Sequence, residues 1–335
     1  MISVIIPCYN EVGTIKGLLA AIHAQSFPVG QMEVIIADGG SNDGTLEAIE
    51  QYRQDHPGLR IQVIPNPLKR IPVALNRSIK ASTGGFVIRL DAHSIPSKNY
   101  IETCIKVLRL TQAANVGGVW DIRPGDNSGI ARAIAVAAAH PLGAGDARYR
   151  VSGVAGPADT VPFGAFRREW LERVGPFNEQ LLTNEDYEYN VRIRNAGGTV
   201  WFDPDIRSIY YARASLTELA RQYWRYGFWK LRMLQKYPRT LRWRQAIPPV
   251  FVFASVVLAA SAPFFSPARW LLAVQLGAYL IVSFVAGIQQ SNRAHDPSLV
   301  FGFPLAIWTM HYAWGAGFLW GWLNSLRRDR ASGFE

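Results

Sequence analysis

Cysteine and acidic residues are scarce in this chain of 335 residues, and each shortage excludes something. The 2 cysteines, Cys8 and Cys104, are too few for a disulfide framework and do not have metal-site spacing. The 25 acidic residues are outnumbered by 35 basic ones, so the net charge is +10 and predicts an anionic partner. The start of the chain, MISVIIPCYNE, lacks the basic region and long apolar run of a signal peptide, and we interpret it as a strand.

Charge is almost absent from long stretches beyond residue 245. Three of these stretches are long enough to cross a bilayer, and we predict membrane spans at 246–265, 270–288 and 301–324. Buried core helices are the alternative, but none of the three stretches has a polar face. Three spans would place the arginines of the C-terminal tail (326–335) outside the cell, against the positive-inside tendency, unless one stretch is re-entrant.

A basic block precedes the first apolar stretch. It contains eight basic residues and no acidic one: Arg221, Arg225, Lys230, Arg232, Lys236, Arg239, Arg242 and Arg244. On a helix, four of them (Arg221, Arg225, Arg232 and Lys236) share one stripe. The adjacent stripe is apolar and aromatic, with Ala220, Trp224, Phe228 and Leu231, so we predict an amphipathic helix over 216–245 that lies in the membrane interface. Basic residues clustered in this way favour membrane lipids over nucleic acid as the anionic partner, and they predict a cytoplasmic N-terminal domain.

The first 120 residues alternate between short apolar runs and amphipathic segments of helical period. This alternation is typical of an α/β fold, with a mostly parallel sheet covered by helices on both faces. In such sheets ligands bind beyond the carboxyl ends of the strands. The loops that follow the predicted strands are PCYNE, DGGSNDGT and DAHS, and we expect the site to be built from them.

Three groups of acidic residues could carry chemistry. Asp91 and His93 point the same way on an extended chain, so both could reach one hard cation, although a polar loop is the simpler interpretation. Asp38 precedes two glycines in a loop that could contact a nucleoside or simply turn the chain. Glu185 and Asp186 start a predicted helix, where acids also suit the helix dipole, and crowding would raise the pKa of one of them toward that of a general base.

Taken together, the motifs SVIIPCYNE, VIIADGGSNDGT, RLDAH, FGAFRRE and NEDYEYNVRIRNAGG resemble the family 2 inverting glycosyltransferases with a GT-A (Rossmann-like) fold. HPLGAGDARYR, RQYWRYGFWK and the apolar tail are similar to a membrane-bound subgroup of succinoglycan-type glucosyltransferases. The resemblance covers nearly the whole chain. It implies a cytoplasmic GT-A domain at 1–215, followed by the interface helix and a transmembrane region over 246–325.

The resemblance also implies a function. It is the inverting transfer of a single sugar, with glucose expected, from a UDP-sugar to a polyprenyl-diphosphate-linked saccharide at the bacterial inner membrane, in exopolysaccharide or related glycan synthesis. The implied nucleotide-sugar-binding residues are Pro7, Tyr9, Glu11, Asp38 and Asp91. The implied ligands of Mg²⁺ or Mn²⁺ are Asp91 and His93, and the implied catalytic base is Asp186. Possible contacts to a diphosphate or to the acceptor are Glu185, Arg221, Arg225 and Lys230.

Two departures from the family pattern bear on these roles. Asp38-Gly39 replaces a frequent Asp-Asp pair, which weakens the expectation of uridine, and His93 replaces the second Asp of the metal motif. Processive members carry Gln-x-x-Arg-Trp, which RQYWRYG does not match, so we expect addition of one sugar. The alternatives are transfer to a simple polyprenyl phosphate, or a membrane-anchored nucleotide-binding protein without turnover. A transporter is disfavoured because the predicted spans contain no Asp, Glu, Lys or Arg, and His311 is their only histidine.

Overall fold

The computed structural model describes residues 1–151 and 153–332, and its contacts divide the chain into two compact units. The first unit comprises residues 1–121 and 147–210. The second comprises residues 122–146 together with the chain from residue 211 onward. The predicted domain at 1–215 was continuous in sequence, whereas the structure groups 122–146 with the C-terminal region. The functions assigned to the predicted domains, at 1–215, 216–245 and 246–325, stay predictions.

A parallel sheet opens the first unit, as the alternating pattern predicted. Its strands are paired in the order β3-β2-β1-β4, with every pairing parallel. Helices connect them because parallel neighbours need a crossover. The strands are β1 (Ile2–Cys8), β2 (Met32–Asp38), β3 (Arg60–Pro65) and β4 (Phe86–Arg89). The helices are α1 (Ile15–His23), α2 (Thr45–Asp55), α3 (Ile71–Ala81) and α4 (Tyr100–Thr111), with a 3₁₀ turn at Val29–Gln31.

In the remainder of the sheet the strands run antiparallel, whereas we predicted a mostly parallel sheet. The order continues from β4 through β8, β6 and β9 to β5, and β7 also pairs with β9. The pairs β4–β8, β6–β8, β5–β9 and β7–β9 are antiparallel, so the sheet is mixed. The strands are β5 (Ile95–Pro96), β6 (Asn115–Arg123), β7 (Gly156–Pro157), β8 (Ala165–Arg167) and β9 (Val200–Tyr211).

Apolar residues cover both faces of this sheet. Val4 and Ile6 of β1 are buried in one cluster, while Ile5 is buried in the other, because successive side chains of a strand point to opposite faces. The first cluster includes Leu18 of α1 and the second includes Leu75 of α3. A strand buried on both faces reads as a continuous apolar run, which is why β1 was recognisable from its sequence.

Three further helices complete the first unit: α7 (Arg148–Val151), α8 (Arg168–Val174) and α9 (Glu185–Asn195). Helix α9 ends at a glycine pair: Gly197 has a φ of 83°, and the amide of Gly198 donates to the carbonyl of Ile193 at 2.9 Å. A left-handed residue just after the last turn is a common helix ending. At the other end, Asn184 is also left-handed, with a φ of 66°.

The second unit is helical. It contains α5 (Gly129–Ala139), α6 (Pro141–Ala144), α10 (Leu216–Lys236), α11 (Trp243–Ser261), α12 (Ser266–Ala294) and α13 (Leu299–Ser332). Helix α13 packs against α5, α10, α11 and α12. Glycines allow close approach: a Cβ on Gly227 of α10 would overlap the carbonyl oxygen of Trp314, and one on Gly317 of α13 would overlap that of Trp224.

The predicted interface helix over 216–245 is interrupted in the structure. Helix α10 ends at Lys236, Pro238–Thr240 form a 3₁₀ turn, and α11 begins at Trp243. Pro238 explains the break, because the residue before a proline is disfavoured in helical conformation.

Two helices, α11 and α12, are long and apolar enough to cross a membrane. Helix α11 covers residues 246–261 of the first predicted span, and α12 contains the whole of the second. Their length and composition favour membrane association. Large apolar side chains along them are exposed, including Val250 of α11 at 65% and Trp270 of α12 at 72%. Helix α13 contains the third predicted segment, but within the described residues it does not meet the same criterion. The number of spans therefore stays a prediction.

Candidate active site

The loops that follow β1 and β2 interlock at the carboxyl end of the sheet. The amide of Asn10 donates to the hydroxyl of Ser41, and the amide of Glu11 donates to the hydroxyl of Thr45, each at 2.8 Å. Asn10 adopts a left-handed conformation with a φ of 55°. These bonds hold the two predicted nucleotide-binding loops together without any ligand.

Asp38 ends β2, and its carboxylate shapes its own loop. One oxygen accepts the amides of Gly40 at 2.7 Å and Ser41 at 2.9 Å, and the other accepts the Ser41 hydroxyl at 2.6 Å. The residue is only 5% exposed. The structure thus gives Asp38 a role in holding the turn, and its direct contact with a nucleoside stays a prediction.

Tyr9 presents an exposed ring beside this loop. Its side chain lies against Gly39, where a Cβ would be 2.9 Å from Cδ2 of the tyrosine. The Lys69 ammonium lies 3.1 Å from the Tyr9 hydroxyl and 4.4 Å from the ring centroid. Lys69 is held there by a turn after β3, in which it has a φ of 53°. An aromatic ring flanked by a cation is a suitable surface for a base and its phosphates.

The motif after β4 divides its two predicted metal ligands between different partners. One oxygen of Asp91 accepts from Nε of Arg89 at 3.1 Å. Nδ1 of His93 lies 3.1 Å from Oε1 of Glu11, in the loop after β1. Burial opposes ionisation of Glu11, but hydrogen bonds with His93 and Thr14 keep the pKa of Glu11 below its usual value. Glu11, Asp91 and His93 therefore belong to one neighbourhood of polar loops.

Arg89 connects this neighbourhood to α9. Its side chain is buried, its Nε bonds to Asp91, and its second terminal nitrogen lies 3.1 Å from Oε1 of Glu185. Burial disfavours the charged form, yet Asp91, Glu185 and Asp186 more than compensate and raise the pKa of Arg89. The guanidinium is therefore charged at neutral pH.

Glu185 and Asp186 start α9 close to this charge. Glu185 is buried, whereas Asp186 is partly exposed and accepts the amide of Tyr187 at 2.7 Å. Burial raises the pKa of both carboxyls above their usual values, and Arg89 partly opposes the rise. Mutual repulsion with Asp186 raises the pKa of Glu185 further. A partly exposed carboxylate with a raised pKa can accept a proton from a substrate hydroxyl.

The other predicted contacts are Pro7 and three residues of α10, Arg221, Arg225 and Lys230. Pro7 lies in β1, where it pairs with Ala37 of β2. Arg221 and Arg225 are exposed on α10 of the second unit. Lys230 was predicted to contact a diphosphate or the acceptor, but it is 2% exposed and its ammonium lies 3.4 Å from the carbonyl of Thr240. Its burial within the second unit is a finding that helical spacing could not reveal.

Comparison with known proteins identifies the fold and the family. The family model described as glycosyl transferase family 2 matches residues 3–175, which is more than half of the chain. The chain is a family 2 glycosyltransferase. The match spans β1 to the end of α8 and so includes Tyr9, Asp38, Asp91 and His93, while α9 with Asp186 follows it.

Relatives along nearly the full length agree with this family. The succinoglycan biosynthesis protein ExoA of Rhizobium meliloti (strain 1021) is 29% identical over 330 residues, covering 97% of this chain and 96% of that protein. A dolichyl N-acetyl-α-D-glucosaminyl phosphate 3-β-D-2,3-diacetamido-2,3-dideoxy-β-D-glucuronosyltransferase of Methanococcus voltae is 26% identical, covering 96% of each chain. The predicted resemblance to the succinoglycan-type subgroup is thereby confirmed.

Solved structures support the GT-A fold. The mannosyltransferase PcManGT from Pyrobaculum calidifontis, in complex with GDP-Man and Mn²⁺, superposes with a TM-score of 0.65 at 23% identity, covering 92% of this chain and 86% of that chain. Residues 1–349 of S. aureus TarS, in complex with UDP, give a TM-score of 0.51 at 15% identity, covering 92% and 90%. The predicted α/β class and GT-A fold are confirmed.

A divalent cation suits the donor set of this glycosyltransferase. Glu11, Asp91 and His93 offer carboxylate oxygens and one imidazole, which suit Mg²⁺ or Mn²⁺. Within residues 1–151 and 153–332, no three His, Cys, Asp or Glu side chains converge on a preformed metal position.

Two residues of the family 2 site were missed from the sequence alone. Arg89 gave a usable signal, because a charged residue inside the apolar run FVIRL must be paired if the strand is buried. Lys69 gave none, since its position depends on how the turn after β3 places the ammonium against Tyr9.

Proposed function

We propose that this glycosyltransferase moves a single sugar, with glucose expected, from a UDP-sugar to a hydroxyl of a polyprenyl-diphosphate-linked saccharide, with inversion. Transfer takes place at the cytoplasmic face of the bacterial inner membrane, in the synthesis of exopolysaccharide or a related surface glycan. One observation supports this most directly. Arg89 bonds both to Asp91, the predicted donor-side ligand, and to Glu185, the neighbour of the predicted base.

In the proposed reaction some residues bind the donor and others act on the acceptor. Tyr9 and the loop shaped by Asp38 hold the nucleoside. Asp91 and His93 would hold the Mg²⁺ or Mn²⁺, which when bound offsets negative charge on the departing diphosphate. Asp186 takes the proton from the acceptor hydroxyl as that oxygen attacks the anomeric carbon from the face opposite the diphosphate. Glu185, Arg221 and Arg225 are the remaining candidates for contacts to a diphosphate or to the acceptor.

The relatives and neighbours support parts of this proposal. ExoA is named for succinoglycan biosynthesis, and the Methanococcus voltae relative is named for a dolichyl-phosphate-linked sugar, so a lipid-linked acceptor is consistent with both. The nucleotides bound in the two solved structures differ: TarS was solved with UDP, and PcManGT with GDP-Man and Mn²⁺. The nucleotide must therefore be part of the test. Apolar helices α11 and α12 support a substrate that resides in a membrane.

The test is direct. Membranes containing the protein are incubated with a panel of radiolabelled UDP-sugars and with GDP-mannose, with and without EDTA, and label is followed into extractable lipid. Polyprenyl phosphate and a diphosphate-linked saccharide serve as separate acceptors. We expect label from one UDP-sugar on the diphosphate-linked saccharide only, and loss of transfer with EDTA that Mn²⁺ or Mg²⁺ restores. Label on polyprenyl phosphate would favour the alternative acceptor, and nucleotide binding without transfer would leave a non-catalytic binder.

The role of Asp186 is tested in the same assay. Asp186→Asn should lower turnover by about 10²–10⁴-fold, since a general base contributes that much, while leaving nucleotide binding near the wild-type level. Asp205→Asn, which changes an exposed acid of β9, is the matched control and should transfer normally. Wild-type turnover in the Asp186 variant would remove it as the base.

A further inference from the structure

Arg89 has a geometry that suggests more than charge neutralisation. Its guanidinium is held between two carboxylates that are far apart in sequence, Asp91 after β4 and Glu185 at the start of α9, with both N–O distances 3.1 Å. The side chain is nearly inaccessible at 6% exposure, and the remaining terminal nitrogen is buried with no hydrogen-bond partner in the described structure. A buried arginine so placed cannot shift without moving both acids.

We propose that Arg89 is a positioning residue that fixes the donor-side carboxylate Asp91 and the base-bearing end of α9 relative to each other. This inference rests on the proposed function, because it assumes that Asp91 serves the donor and that Asp186 serves the acceptor. Asp186 follows Glu185 directly, so an anchor on Glu185 sets where α9 begins. Asn184, immediately before, has a left-handed backbone with a φ of 66°, which a residue other than glycine adopts only at some cost.

The shape of arginine is the reason that this position needs it. Nε and a terminal nitrogen form two separate bonds from one planar group, whereas lysine has a single nitrogen at the end of a flexible chain. A lysine at position 89 could keep the positive charge but could not span Asp91 and Glu185 together. Positioning and charge neutralisation therefore predict different outcomes for Arg89→Lys.

A matched control lies on α9 itself. Arg192 bonds to buried Glu188 at 3.1 Å and also donates to the carbonyls of Val174 and Pro176. Arg192 lies seven residues after Glu185, about two turns further along α9. Arg192→Lys thus disturbs a comparable buried ion pair of the same helix without disturbing the proposed anchor.

The experiment compares the wild type, Arg89→Lys and Arg192→Lys in full-length protein. Four quantities are measured: kcat and KM for the donor, the Mn²⁺ concentration that gives half-maximal nucleotide binding, and the thermal midpoint. We expect Arg89→Lys to lower kcat by about 10²-fold, as a misplacement on the order of 1 Å can do, and to raise the Mn²⁺ requirement. Arg192→Lys should lower the midpoint at least as much but keep kcat and the Mn²⁺ requirement within about threefold, because it lies outside the anchor.

A charge-balanced variant covers the case in which Arg89→Lys does not fold. Arg89→Met combined with Glu185→Gln removes both buried charges, and it should fold yet show the same loss of kcat. Wild-type kcat in either folded variant would overturn the positioning role. A loss that follows the thermal midpoint equally in the Arg89 and Arg192 variants would also overturn it. Failure of the wild type to transfer any sugar would instead refute the proposed function, so the two failures are distinguishable.

Discussion

Substitution of Gly39 by alanine should displace the Tyr9 ring and weaken nucleotide binding. The added Cβ would lie 2.9 Å from Cδ2 of Tyr9 and 3.2 Å from both Cβ and Cγ, closer than side chains normally approach. The tyrosine would have to move by a few tenths of an ångström or more, and its contact with Lys69 would be lost or altered. Gly39 does not have a positive φ, so the effect would come from contact with Tyr9 and not from backbone strain.

The size of the effect follows from what the ring can contribute. Stacking of a base on an aromatic side chain is worth about 1–3 kcal/mol, so Tyr9→Ala should weaken nucleotide affinity by about 5-fold to about 150-fold. Gly39→Ala leaves the ring in place but shifted, and we expect it to lose roughly 1 kcal/mol of that, or about 5-fold in Kd. The affinity for UDP is measured by calorimetry or by quenching of intrinsic fluorescence.

A double-mutant cycle makes this prediction specific. If Gly39→Ala acts through Tyr9, it should have almost no further effect in protein that already carries Tyr9→Ala. Gly13→Ala is the matched control, since a Cβ there meets nothing within 4 Å and its φ is not positive. Equal losses from Gly39→Ala with and without Tyr9 would refute the reasoning, and so would unchanged affinity in the Gly39 variant.

Three further predictions concern stability and pH. Burial raises the pKa of Asp186. In a profile of transfer rate against pH, the rate should therefore fall on the acid side at a pKa above the value of about 3.9 of an ordinary aspartate. A fall at or below that value would contradict the assignment of Asp186 as the base. Glu33 is partly buried, but hydrogen bonds lower its pKa, so Glu33→Gln should cost roughly 1–3 kcal/mol at pH 7, and the difference should shrink as pH falls below about 4 in denaturant unfolding. Gly317→Val should lower the thermal midpoint in detergent, because its Cβ would overlap the α10 backbone, whereas Gly277→Val, with nothing within 4 Å, should not.

The parallel half of the sheet could be predicted because its central strands β1 and β2 have seven residues each and are buried on both faces. Strands β1 to β4 appear as apolar runs separated by helices, and that pattern is typical of a parallel sheet with helices on both faces. The antiparallel half could not be predicted. Strands β5 and β7 have two residues each and β8 has three, which is too short for any period to appear in the sequence.

Within the site, the sequence indicated which loops carry the polar residues, but it did not indicate which side chains bond to one another. The rule that ligands bind beyond the strand ends selected the loops of Asp38 and Asp91. It could not show that the carboxylate of Asp38 is occupied by its own turn, or that His93 pairs with Glu11. Those partners depend on how loops from separate strands meet, which only the folded chain determines.

The departure from the family pattern at Asp38-Gly39 has a physical reason in this structure. A second carboxylate at position 39 would need a Cβ where the side chain of Tyr9 now lies, so an exposed ring at position 9 and glycine at position 39 go together. Lys69 then places a cation, not an anion, beside that ring. A cation can donate to base carbonyls or to phosphates but cannot accept from a base N–H. With the base against Tyr9, as proposed, Lys69 offers it hydrogen-bond donors and no acceptor, so the donor panel includes more than UDP-sugars.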